Sequence, residues 1–116
     1  MELVAEGTLK ITSVTVNEDN SVLCYEGDVG KYGRVFATHV IKSRDGNRNQ
    51  GNFTGHARTI LEDGNALSAT LQGIWSRDGG KMKFYSLDES SHGDQNFIRG
   101  EVDLLSRDCT AKVYAL

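Results

Sequence analysis

Five residues bring side chains suited to a site: His39, Tyr25, Trp75, Phe84 and Ser86. His39 lies in Gly33-Arg-Val-Phe-Ala-Thr-His-Val-Ile41 and shares its extended-chain face with Val35, Ala37 and Ile41. An inward imidazole among apolar neighbours is either a general acid/base and ligand hydrogen-bonder or a structural histidine bonded to a side chain or water. The opposite register, with Phe36 and Val40 inward, would put it on the surface. Tyr25 sits with Leu23 and Val29, and a buried tyrosine hydroxyl needs a partner, from a ligand or from the core. Trp75 is a stacking wall at a mouth or a plug for one end. Ser86 is the polar exception on a face with Met82 and Phe84. No Gly-x-Ser-x-Gly surrounds it, so serine hydrolysis is not expected.

The remaining reactive residues read as ordinary surface or core. Asp88, Glu89, His92 and Asp94 cluster around one loop, but match no metal-loop spacing. They read as a solvated acidic turn, and neither a metal nor a cofactor is expected. His56 alternates with Thr54 and Arg58 and so reads as solvent-facing. Cys24 and Cys109 have no activating neighbour in sequence and read as reduced, packed thiols. No helix follows any glycine cluster, which sets aside P-loop, kinase and Rossmann chemistry.

The elements that must position these residues are extended. Turn-forming clusters punctuate the chain at Asn17–Asn20, Gly30–Gly33, Arg44–Gly51, Asp63–Asn65, Asp78–Gly80, Ser90–Gln95 and, most weakly, Ser106–Asp108. Asp-Gly pairs tolerate positive φ and mark hairpins. Between the turns lie eight segments, roughly 3–16, 21–29, 33–43, 52–62, 66–77, 81–89, 96–106 and 109–115. Each repeats with period two. Ile98, Gly100, Val102 and Leu104 oppose Arg99, Glu101 and Asp103, and Leu67, Ala69, Leu71, Gly73 and Trp75 oppose Ser68, Thr70 and Gln72. Leu3, Ala5, Leu9 and Ile11 share a face in the first segment while Val14 and Val16 fall on the other. A bulge near Thr12–Ser13 would re-phase it.

Eight short-linked amphipathic strands predict an all-β, eight-stranded antiparallel up-and-down β-barrel, with a two-sheet β-sandwich as the alternative. Residues 1–116 make a single domain. The low apolar content of 38% and the 13 glycines suit a thin-walled β-structure better than a bundle. In a closed meander the strands holding Cys24 and Cys109 lie two spacings apart, roughly 9–10 Å, too far for a disulfide. A net charge of −3 without a cationic stripe argues against nucleic-acid partners. No apolar run or basic amphipathic stretch points to a membrane, and the opening residues lack a signal peptide's pattern, so a cytoplasmic protein is expected.

The eight-strand rhythm resembles small calycin-type and allene-oxide-cyclase-type barrels. It is joined by Gly51-x-Phe53-x-Gly55, Leu71-x-Gly73-x-Trp75 and Gly100-Glu-Val-Asp-Leu104. The resemblance is one of fold. It implies a small, largely apolar molecule held in the barrel mouth, in some members with a cyclisation guided there. No family catalytic residue matches a position in this chain, nor does a lipocalin Gly-x-Trp near the N-terminus.

Two functions follow as expectations. The first is an interior site for a small, largely apolar ligand, lined by Tyr25, His39, Trp75, Phe84 and Ser86. Any catalysis there would be of the non-covalent cyclase or isomerase kind, with His39 or Tyr25 moving a proton. The motive is the run of small inward residues: Gly55, Ala57, Ala69, Gly73, Gly100, Ala111 and Ala115. Small residues also serve a narrow, sharply coiled barrel without any ligand. The second is a non-catalytic structural or interaction module that forms a homo-oligomer through outward Phe36, Val40, Phe97 and Tyr114.

Overall fold

The computed structural model describes residues 1–116. Alternating side chains and short turns resolve into eight strands. These are β1 (Glu2–Val16), β2 (Ser21–Val29), β3 (Arg34–Ser43), β4 (Gln50–Ile60), β5 (Ala66–Asp78), β6 (Lys81–Ser90), β7 (Gln95–Asp103) and β8 (Asp108–Ala115). One 3₁₀ turn (Gly30–Tyr32) joins β2 to β3. Each strand pairs antiparallel with its neighbours in sequence, and β1 closes the ring with β8. Closure leaves no free edge, which excludes the sandwich.

Register follows the apolar pattern. Phe53, Ala57 and Thr59 are buried between exposed Asn52, Thr54, His56 and Arg58. The β1 register shifts between Ile11 and Ser13, the position at which the pattern changes phase, and Val14 then pairs with Leu23. A second shift, between Leu3 and Ala5, carries no pattern signal. It turns Leu3 outward, 46% exposed, and packs Val4 against the core instead. Leu3 therefore does not share the inward face of Ala5 and Leu9.

The core is the lumen. Seventeen buried apolar residues form one cluster inside the ring. Cys24 and Cys109 are both free. No helix is long and apolar enough to cross a membrane.

Candidate functional site

Aromatic rings pack the lumen toward one end, where Trp75 lies beneath a loop-rimmed depression, and leave it hollow toward the other. A cavity of about 110 Å³ lies toward the β2–β3, β4–β5 and β6–β7 connections. Its wall includes Ala37, Ala57 and Ala69, which are cross-strand partners on β3, β4 and β5. The same row continues to Tyr25 on one side and Ser90 on the other. Three adjacent methyl side chains hold the wall back from the axis, and Ala111 does the same on β8.

Aromatic rings form the inner end. His39 stacks on Phe53 with centroids 4.3 Å apart and meets Phe84 and Tyr25 edge-on at 5.0 and 4.8 Å. His39 is only 4% exposed. Burial pulls its pKa down to about 4, so the ring is neutral at pH 7. Tyr25 is equally buried, and desolvation, with smaller contributions from Cys109 and Cys24, lifts its pKa far above the ordinary tyrosine value. It remains a phenol and a hydrogen-bond donor. Burial likewise pushes the Cys109 thiol in the same wall up to about 12, which keeps it un-ionised and unreactive.

Three buried polar atoms here have no hydrogen-bond partner: Tyr25 Oη, His39 Nδ1 and Thr59 Oγ1. All three residues line the cavity. Buried polar atoms are almost always paired, because leaving one unpaired costs about 1–3 kcal/mol. Three such atoms around one hollow space make it a place where water or a bound polar group can complete the hydrogen bonding.

Asp88 is the charged element of the site. Period two carries Ser86, Asp88 and Ser90 inward along β6, and all three line the cavity. Burial pushes the Asp88 carboxyl up to about 7, against the opposing hydrogen bond that Ser86 Oγ donates to it. Asp88 therefore exchanges a proton near neutrality. It shares a register row with His39 through Leu71 and Gly55, three strands away around the ring.

The mouth is braced by Tyr32 from the 3₁₀ turn. Its hydroxyl donates to Asp94 Oδ2 at 3.0 Å and accepts from Asn96 Nδ2 at 2.9 Å. Asn96 is buried and sits directly across from Asp88 on β7.

Tyr25, His39, Phe84 and Ser86 thus converge on one cavity, as their alternation predicts. Trp75 does not join them. It closes the opposite end of the lumen, 6% exposed, with its indole N–H donated to the Lys42 carbonyl at 3.1 Å. Strand direction explains this, because Trp75 lies near the far end of β5 while Leu67, Ala69 and Leu71 lie at the near end. The supposed acidic turn also divides. Glu89 and His92 are exposed, Asp94 braces Tyr32, and Asp88 belongs to the lumen. Continuing the Met82–Phe84–Ser86 alternation by one step would have found Asp88. The same step backward from Ile98 would have found Asn96. Tyr32 sits in a turn, where alternation gives no signal.

The geometry can enclose a compact apolar body. It offers hydroxyl and imidazole groups at depth and a carboxyl group able to give or take a proton. No cluster of three or more His, Cys, Asp or Glu side chains is arranged to hold a metal ion. Comparison of the chain with family models, curated proteins and solved structures finds no match, so of the expected likeness to calycin-type and cyclase-type barrels only the closed eight-stranded antiparallel ring is observed.

Proposed function

We propose that this barrel binds a compact, largely apolar small molecule in the hollow half of its lumen. The observation that carries the reading is the coincidence of three unpaired buried polar atoms with one alanine-walled cavity. An apolar cavity of about 150 Å³ accepts benzene. One of about 110 Å³ suits an apolar body of about four or five heavy atoms, with a polar end toward Asp88 and the mouth. Any chemistry would be non-covalent proton transfer of the isomerase or cyclase kind. Asp88 is the group poised to exchange the proton, with Tyr25 and His39 as hydrogen-bonding partners. On this reading the protein works in the cytoplasm, where Cys24 and Cys109 stay reduced. Native mass spectrometry of protein from its own host, repeated after denaturation, tests the binding. A small molecule retained when folded and lost on unfolding is the expected result. A cavity holding only water, with no small molecule taken up from a metabolite extract, would overturn it.

A second reading rests on the outer wall. Tyr85 stacks on Phe97 at 5.9 Å, and Phe97 meets Tyr114 at 6.2 Å. Leu87, Phe97, Tyr114 and Leu3 form one cross-strand row over β6, β7, β8 and β1. Leu87 is 49% exposed, and nearby Ile74 60%. Such a stripe suits burial in a homo-oligomer, with the lumen as mere core. Phe36 is also exposed, but it lies on β3, away from this row. Sedimentation at micromolar concentration checks it, and a monomer would count against it.

A further inference from the structure

We infer that the ligand is a compact amine, with its ammonium group seated against Asp88 and its apolar body against the alanine wall. This rests on the cavity reading above and deepens it by naming the ligand's charge.

The argument begins with what surrounds Asp88. Its carboxyl group faces the lumen with Ser86 as its one hydrogen-bond partner. Leu71 and Asn96 are its cross-strand partners, and neither carries a charge. The titratable groups that share the cavity are Tyr25 on β2, Tyr32 on the 3₁₀ turn, His39 on β3 and Cys109 on β8. All are neutral or acidic in kind at pH 7, and Asp94, behind Tyr32, adds a second carboxylate at the mouth. No lysine or arginine lines the cavity. Lys31 rests over the Tyr32 ring at 5.3 Å and does not reach the lumen wall.

A half-buried carboxylate without a cationic partner is costly to keep ionised, and its desolvation raises its proton affinity in consequence. The protein supplies no counter-ion, so wherever the carboxyl is ionised its charge is left for a cationic ligand to pair with. The same inventory disfavours a carboxylic acid, whose anion would meet Asp88 with nothing to offset the repulsion. It also favours a cation over a neutral alcohol, because an ammonium group makes a charge-assisted hydrogen bond to the ionised carboxylate and an alcohol makes a weaker one. The unpaired hydroxyls of Tyr25 and Thr59 then receive or complete hydrogen bonds to the ligand's remaining polar atoms.

Binding of an ammonium ion to Asp88 requires the ionised carboxylate. The carboxyl titrates near 7, so amine binding strengthens as pH rises through neutrality and releases a proton. His39, which titrates near 4, stays neutral throughout this window.

Three probes with the same five-carbon skeleton decide the matter: 3-methylbutylamine, 3-methylbutan-1-ol and 3-methylbutanoate, titrated calorimetrically into the full chain. At pH 8 the amine is expected to bind at least about tenfold more tightly than the alcohol, with the carboxylate weakest. Amine affinity is expected to fall by more than about tenfold between pH 8 and pH 5.5, while the alcohol's stays level. Titrations in two buffers of different ionisation enthalpy should show proton release for the amine alone. Asp88→Asn is expected to erase the amine's advantage and its pH slope and to leave alcohol binding in place. Should that variant fail to fold, the wild-type pH slope and proton release still decide. Equal binding of amine and alcohol, or tightest binding of the carboxylate, overturns the amine inference and leaves the cavity reading standing. Failure of all three probes to bind at millimolar concentration overturns both.

Discussion

The two halves of the lumen use small residues for opposite ends. In the filled half, glycine makes room for an aromatic ring. A Cβ on Gly100 would lie 2.0 Å from the Phe84 ring, and one on Gly73 would lie 2.8 Å from Phe53 and 1.9 Å from the Tyr85 carbonyl. In the hollow half, Ala37, Ala57 and Ala69 face space that no side chain occupies. A small residue in a barrel is thus a receptacle only when nothing across the lumen grows into it. The difference also separates the polar groups. Trp75, in the filled half, has its N–H paired, whereas Tyr25, His39 and Thr59, around the hollow, each carry an unpaired atom.

The largest effect should come from exchanging the two strategies. Trp75→Ala removes the plug of the filled half and is expected to cost about 3–5 kcal/mol, read from urea unfolding. Ala57→Val puts two methyl groups into the hollow half. It should change stability by less than about 1 kcal/mol, because those groups enter existing space. It should also abolish probe binding. An equal loss from both substitutions would mean that the cavity is not an adaptable space, and the contrast between the halves would fall.

Gly100→Ala tests the receptacle itself. The added methyl drives Phe84 out of position, at an expected cost of about 1–3 kcal/mol. Combining it with Phe84→Leu should recover part of that loss, since a smaller side chain vacates the space. Additive losses in the double variant would show that the backbone, and not the ring, resists the methyl group.

Much of this comparison was legible in the sequence. Alternation placed Tyr25, His39, Phe84 and Ser86 on inward faces, and the phase change in β1 located the bulge near Thr12. Alternation gives direction, however, and not height along the axis. Trp75 and Ala69 share a face of β5, yet one closes the filled end and the other lines the cavity. Height follows from the stagger of eight strands, a property of the closed ring. Asp88 was hidden for a different reason. Its neighbours Glu89, His92 and Asp94 make an acidic turn by composition, and the turn's chemistry masked the strand's period. The Val4 bulge had no signal, because Leu3, Val4 and Ala5 are all apolar and either phase looks the same. Glycine and alanine also look alike as small inward residues until the ring that fills one is seen.

The carboxyl group of the hollow half should make its own imprint on stability. The folded state holds the Asp88 proton up to about pH 7, whereas an unperturbed carboxyl releases it near 3.8. The ionisation cost of burying Asp88 is therefore absent below about pH 4, grows as pH rises and is largest above 7. Asp88→Asn should match wild type at pH 4 and exceed it by roughly 1–2 kcal/mol at pH 8, a figure reduced for the carboxyl's partial contact with solvent. His39 acts in the opposite sense. Its folded-state pKa of about 4 lies below the ordinary 6.5, so wild type loses stability as pH falls through that interval. The two trends oppose each other in one window. Subtracting the Asp88→Asn curve from wild type isolates the carboxyl, and a flat difference from pH 4 to 8 would mean that Asp88 is solvated.

The smallest change in stability is expected at the mouth. Tyr32→Phe keeps the ring and removes the hydroxyl that joins Asp94 to Asn96. Asp94 is exposed and finds water at once, whereas the Asn96 amide is buried and loses a partner. The cost should be about 0.5–1.5 kcal/mol, the worth of a single neutral hydrogen bond with partial rehydration. Kinetics should respond more. The brace ties the 3₁₀ turn to β7 above the hollow half, so its loss frees the entrance while the floor of Tyr25, His39 and Phe84 stays in place. Probe association and dissociation, followed by line shapes in NMR titrations, should both quicken by a similar factor and leave the affinity nearly unchanged. A loss of affinity without faster exchange would assign Tyr32 to the ligand's own contacts, and the entrance would then have to lie elsewhere on the rim.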